Sequence, residues 1–168
     1  MHSEIAIDID APPGLVFDLA HGVERWAVLL PHYARSTAIE RRPDGSLVVD
    51  FVARRALVSL LGLGLPVAWR SRTWNEPATR RLRFVHVAGA TRGMDVTWRI
   101  EPQTGDDGGT TRTTRVVIEH VFRPRLPGFA AFVDRFFTRP IAGRTLATFK
   151  ALAEAVQSGH APATNPTT

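Results

Sequence analysis

The chain has 168 residues, 44% hydrophobic and 22% charged, the size and composition of one folded domain and not of a disordered polymer. Cysteine is absent, which excludes disulfides, thiolate catalysis and metal centres built on thiolates. The formal charge of +5 invites a nucleic-acid reading, but Lys150 is the only lysine and the arginines form no basic run or helical stripe, so nucleic acid is not an expected partner.

Ile5, Ile7 and Ile9 alternate with Ala6, Asp8 and Asp10, a period of two that predicts a strand with one buried face. This acidic opening does not read as a secretory signal, and no uncharged run approaches the ~20 residues that span a bilayer, so a cytoplasmic location is expected. Ala11-Pro12-Pro13-Gly14 breaks the strand, Leu15–Ala20 reads as a short helix ended by Gly22, and Val23–Leu30 as a second, stopped by Pro31. Strands follow over Ala34–Arg42, Leu47–Arg55, Val67–Trp74, Arg81–Val87, Met94–Ile100 and Arg115–Arg123. Pro43-Asp44-Gly45 is a turn, proline presetting φ and glycine permitting a positive one. Pro127-Gly128 opens a helix to about Gln157, with Phe129, Phe132, Val133 and Phe136, then Leu146, Phe149, Leu152 and Val156, at i, i+3, i+4 spacing. Pro140 and Gly143 predict an interruption near its middle. Residues 1–157 thus read as one domain, and 158–168, small, polar and proline-containing, as a disordered tail.

Seven strands and one long helix predict an α+β fold, a curved antiparallel sheet of seven strands around the C-terminal helix, with two short helices after strand 1. A sheet wrapped on a single helix leaves a cavity between them, and such cavities are the default ligand sites. Phase along the strands selects the residues that face it. Arg55 is in phase with Leu47, Val49, Phe51 and Ala53; His86 with Leu82 and Phe84; and His120 with Val116, Ile118 and Phe122. Met94, Val96 and Trp98 share an inward face from which Asp95 points away. No His-x-His or His-Glu-x-x-His spacing occurs, so no metal is expected.

This order resembles the helix-grip fold of the START and Bet v 1 superfamily over about residues 3–157, and within it the polyketide cyclase/dehydrase group with its bacterial aromatase/cyclases. The residues that carry the resemblance are Ile7-Asp8-Ile9-Asp10-Ala11-Pro12-Pro13 with Val16-Phe17-Asp18, then Val23-Glu24-Arg25-Trp26, Tyr33-Ala34, Trp69-Arg70-Ser71 and Met94-Asp95-Val96-Thr97-Trp98. The resemblance implies a cavity that holds a poly-β-ketone chain, a cationic or phenolic donor that steadies the developing enolate, and a base that removes the proton, with no cofactor. By matching position it implies Arg55 and Tyr33 as donors and Trp26 and Trp69 as cavity walls. The sequence departs from the family at its Trp-x-x-x-Arg pattern: Thr73 stands four residues after Trp69, while Arg70 and Arg72 lie on the opposite strand face.

The candidate catalytic residues are therefore Arg55, Tyr33, His86 and His120, the histidines as neutral bases. The expected ligand-binding wall is Trp26, Phe51, Trp69, Ser71, Thr73, Met94, Val96, Trp98, Phe122, Phe132 and Phe136. For Arg55 a strand-end ion pair competes with the enolate role, and for the histidines a plain core position does. Ala56–Pro66, five leucines and a valine without a charge, is expected as an apolar loop: a lid, a homodimer contact, a tip peripheral to a membrane, or a segment folded onto the core. Two functions stay open. One is a cofactor-independent cyclase/aromatase acting on a polyketide intermediate, with an acyl carrier protein as a partner. The other is a non-enzymatic carrier of a lipid or isoprenoid quinone.

Overall fold

Period-two alternation along the chain closes into one seven-stranded antiparallel sheet with strand order β1-β7-β6-β5-β4-β3-β2. In this computed structural model the described residues are 1–58, 63–104 and 110–159, with backbone only at 55–58, 63–65, 104 and 110–112. The strands are β1 (His2–Ile9), β2 (Tyr33–Arg41), β3 (Leu47–Val58), β4 (Leu63–Glu76), β5 (Arg81–Gly89), β6 (Asp95–Thr104) and β7 (Thr110–Val121). Between β1 and β2 lie α1 (Pro13–Ala20), a 3-10 turn (Val23–Arg25) and α2 (Trp26–Leu29). After β7 come α3 (Phe129–Val133), a π-helical turn (Asp134–Thr138) and α4 (Arg139–Gly159). This is the START-like helix-grip fold that the order of elements predicts.

The sheet has one inner face that alternate residues of its strands supply. Phe51 and Ala53 of β3, Leu82 and Phe84 of β5, Val96 and Trp98 of β6 and Val116 and Ile118 of β7 form the inner face, and Leu146, Phe149 and Ala153 of α4 pack against it. The outer face carries ion pairs such as Arg70 Nε–Asp50 Oδ1 at 2.6 Å and Arg72 Nη2–Asp44 Oδ2 at 2.6 Å. Those two arginines point outward, as alternation from Trp69 requires. The predicted turn at Pro43-Asp44-Gly45 is present, with Gly45 at φ 80°.

Several boundaries differ from the sequence reading: β6 runs on to Thr104 and β7 starts at Thr110 rather than Arg115. β3 and β4 continue to Val58 and from Leu63, so most of the expected 56–66 loop is a hairpin extension, in which Arg55 pairs with Leu65 and Ala56 with Gly64. Pairing across a hairpin satisfies backbone groups, and it extends strands whose side-chain pattern does not alternate in polarity. The lid, homodimer and membrane-tip expectations for this segment rest on side chains outside the described residues, as does the role of Arg55. The helix interruption expected at Pro140 and Gly143 falls earlier, as the π turn. Proline has no N–H to give to the carbonyl of Phe136, and the turn just before it widens to absorb the lost bond. Finally α4 runs to Gly159, two residues into the expected tail, whose remainder lies outside the described residues.

Candidate ligand cavity

Aromatic side chains from α2, α4 and the five strands β2 to β6 meet in the middle of the fold. Trp26, on the short α2, is held by its indole N–H donating to Ala20 O at 2.9 Å. Its ring lies within 6 Å, centroid to centroid, of Tyr33, Phe51, Phe84, Trp98 and Phe149. Trp69 stacks on Phe51 at 5.3 Å and on His86 at 5.8 Å. The register sets these contacts, because Phe51 pairs with Trp69 across β3 and β4. Trp69 in turn faces Gly89 on β5, where a Cβ would come within 2.8 Å of Ala68 O, at a φ of 95°. Glycine is required there for the two strands to approach.

Between this cluster and the start of α4 lies a cavity of about 90 Å³. The sheet side is Trp69, Phe84, His86, Val96, Trp98, Ile118 and His120, and the helix side is Phe137, Thr138, Ile141, Ala142 and Thr145. Its polar groups are few, and most are held by hydrogen bonds. Thr145 donates its hydroxyl to Ile141 O at 2.8 Å, which leaves its oxygen to accept from His32 Nε2 at 2.9 Å and to engage the Tyr33 hydroxyl. His86 Nδ1 shares a 2.6 Å hydrogen bond with Thr91 Oγ1. His120 Nδ1 is buried without a partner.

Burial decides the protonation of all these groups. Desolvation lowers His86 to about 3, with the neighbouring His120 adding to the effect. Desolvation likewise lowers His120 to about 4; the Asp134 and Glu119 carboxylates oppose it and Arg139 adds to it. His32 is lowered to about 4 by burial and by Arg144. Burial raises the Tyr33 hydroxyl, against a weaker opposing effect from Thr145, so it stays protonated. The cavity therefore offers neutral donors and lone pairs in an apolar shell.

Of the expected site residues, Tyr33, His86 and His120 line this one cavity together with Trp26, Phe51, Trp69, Met94, Val96 and Trp98. Others do not. Ser71 and Thr73 are buried on the inward face of β4 but beyond the cavity, their hydroxyls without hydrogen-bond partners. Phe122 is buried against Phe129 at 6.3 Å, and Phe132 and Phe136 face outward, 48% and 37% exposed. The π turn inserts one residue per turn and so rotates the phase: Phe137, Thr138 and Ile141 face the sheet where the i, i+4 pattern placed Phe132 and Phe136. Thr145 and Ala142 were within reach of the sequence, since they share the phase of Leu146 and Phe149; Thr91, on the β5–β6 turn, has no such signal.

The outer face of the sheet groups His2, Glu4 and Glu119 closely enough for a metal ion, but Arg99 already bridges Glu4 and Glu119, each at 3.2 Å. Its guanidinium supplies the compensating charge.

Residues 1–154 match the profile of the family described as polyketide cyclase/dehydrase and lipid transport. The chain belongs to this family. Among solved structures it is similar to the di-domain aromatase/cyclase BexL, with 27% identity and a TM-score of 0.67 over 94% of this chain and 47% of that one. The chain thus spans about half of that di-domain protein. It is also similar to the Zhui aromatase/cyclase of a Streptomyces species, with 21% identity and a TM-score of 0.72 over 95% of this chain and 98% of that one. A START superfamily protein of Mycobacterium smegmatis, 13% identical, aligns with a TM-score of 0.61 over 92% of this chain and 98% of that one. No curated protein matches the chain by sequence. Family and fold together make this a ligand-binding helix-grip domain, and no helix among the described residues is long and apolar enough to cross a membrane.

Proposed function

We propose that the cavity binds an uncharged, carbonyl-bearing hydrophobic molecule and promotes its enolisation and ring closure without a cofactor, as a cyclase/aromatase of the polyketide type. The observation that carries this reading is the convergence of two neutral histidines and one phenolic hydroxyl on the same apolar cavity. The roles divide by environment. His120 is suited to take the α-proton, because Asp134 and Glu119 favour its charged form. Burial and the other imidazole both hold His86 neutral, so with Nδ1 engaged by Thr91 it serves as a neutral hydrogen-bonding group for a ligand carbonyl. Tyr33, turning its hydroxyl from Thr145 to the ligand, donates to the oxygen on which negative charge develops. The enolate carbon then attacks a second carbonyl of the same chain, and the alkoxide formed recovers the proton from His120; later loss of water gives the aromatic ring.

Two features temper the catalytic power of such a site. A base held at about 4 is a weak one at neutral pH. The free volume of about 90 Å³ lies well below the ~300–1,000 Å³ of a drug-sized pocket, so a longer chain enters only as the lining side chains part.

A carrier function for a lipid or quinone is the second reading, favoured by one specific observation. Where the family pattern calls for arginine, Thr73 is buried, and Arg70 and Arg72 are engaged on the outer face by Asp50 and Asp44. Native mass spectrometry of protein from its own host, followed by turnover of a synthetic tetraketide thioester, separates the two. The cyclase reading expects cyclised product and a loss of about 10²–10⁴-fold in His120→Asn with the ligand still bound. Retention of an intact lipid with no turnover in the parent protein establishes the carrier.

A further inference from the structure

Large apolar side chains on the surface of this protein are mostly scattered singly, as at Val28, Ile39 and Val87. The segment from β7 to the π turn is different. Leu126 is 68% exposed, and Phe132 and Phe136, whose rings lie 4.9 Å apart, are the exposed phenylalanines among the described residues. The same segment carries Arg123, Arg125, Arg135 and Arg139 against a single acid, Asp134, which pairs with Arg139 at 2.8 Å. Arg123, Arg125 and Arg135 are exposed and have no acidic partner among the described residues. We infer that this surface docks on an anionic lipid bilayer, with Leu126, Phe132 and Phe136 entering the interface and the three free arginines meeting lipid phosphates.

Charge chooses this occupant over the others. A second copy in an isologous contact would set these arginines against their own kind. An acidic protein would satisfy the arginines but must also supply an apolar groove for two phenylalanines and a leucine. A bilayer interface offers anions and hydrocarbon together, without a shape to match. The position is also functional: Phe137 and Thr138, from the same π turn, line the cavity, so a bilayer at this surface lies one turn of helix from the ligand. This docking would serve a cyclase site and a carrier site alike.

The experiment is co-sedimentation of the full chain with phosphatidylcholine vesicles, with and without phosphatidylglycerol, at low and high salt. Binding is expected to the anionic vesicles and to weaken with salt. The triple variant Arg123→Gln, Arg125→Gln, Arg135→Gln should lose on the order of 10²-fold in partitioning. Leu126→Ser and Phe132→Ser should each lose binding with an unchanged melting temperature; Leu126, the more exposed, is the control against misfolding. Three results overturn the inference: no association of the parent with anionic vesicles at low salt, association that survives both apolar substitutions, or an arginine- and Phe132-dependent complex found only with an acidic carrier protein or a second copy.

Discussion

Acidification tests the buried histidines directly. An unfolded chain protonates His86 and His120 near their ordinary value of 6.5, whereas the folded protein resists until about 3 and about 4. Their folded values are depressed, so for these bases the stabilisation is complete above the unfolded value and is lost as pH falls from there towards the folded values. Within that window these two histidines give the unfolded state up to two more protons, a slope of about 3 kcal/mol per pH unit, to which the likewise depressed His32 adds. Between about pH 7 and pH 5 the loss is on the order of 4 kcal/mol, a large share of the 5–15 kcal/mol that typically holds a domain folded. The exposed carboxylates add to the same trend only at lower pH, since hydrogen bonds to Asp44, Asp50 and Glu154 hold them below their ordinary values. Urea unfolding followed by tryptophan fluorescence reads this out, because Trp26 and Trp98 are buried in the same cluster. The His120 imidazole depresses His86, so replacing His120 alone relieves its neighbour; the double variant His86→Asn, His120→Asn is the informative one. Its unfolding midpoint should lose about two thirds of the pH dependence across this window, the remainder belonging to His32. A parent midpoint that does not move between neutral and mildly acid pH, or a slope that survives the double replacement undiminished, refutes these assignments.

Two further outcomes follow from particular contacts. Gly89→Ala should destabilise by about 1–3 kcal/mol, because its positive φ and the close Ala68 carbonyl leave no room for a methyl group; thermal melting checks it. Thr145→Val should cost about 1–3 kcal/mol by leaving His32 Nε2 buried without an acceptor, and it should raise ligand dissociation as the Tyr33 hydroxyl is freed, measured by calorimetry alongside urea unfolding.

Much of the fold is legible in the order of residues, for a physical reason. Period-two alternation fixes which face of a strand is buried, and a register slip of one residue would expose the whole inner set. Ile5, Ile7 and Ile9, or Met94, Val96 and Trp98, therefore identify both the strand and its inward phase. The same rule places His86 and His120 on the inner face and turns Arg70 and Arg72 away from it. The exact ends were harder to read. The extension of β3 to Val58 and the start of β4 at Leu63 come from pairing across the hairpin, which the apolar run at 56–66 does not announce.

The sequence by itself determined the sheet, the long helix and the candidates Tyr33, His86 and His120, because local periodicity is set within each element. Tertiary structure alone decided which of those candidates share one space. Ser71 and Thr73 have the inward phase of Trp69 yet lie past the cavity, since the distance along β4 to the helix is not encoded in its alternation. Phe132 and Phe136 keep perfect helical spacing yet face solvent, because the π turn beside Pro140 rotates the helix by one residue. The protonation of the histidines, too, follows from burial that α4 completes when it closes over the sheet, and no spacing within either element carries that information.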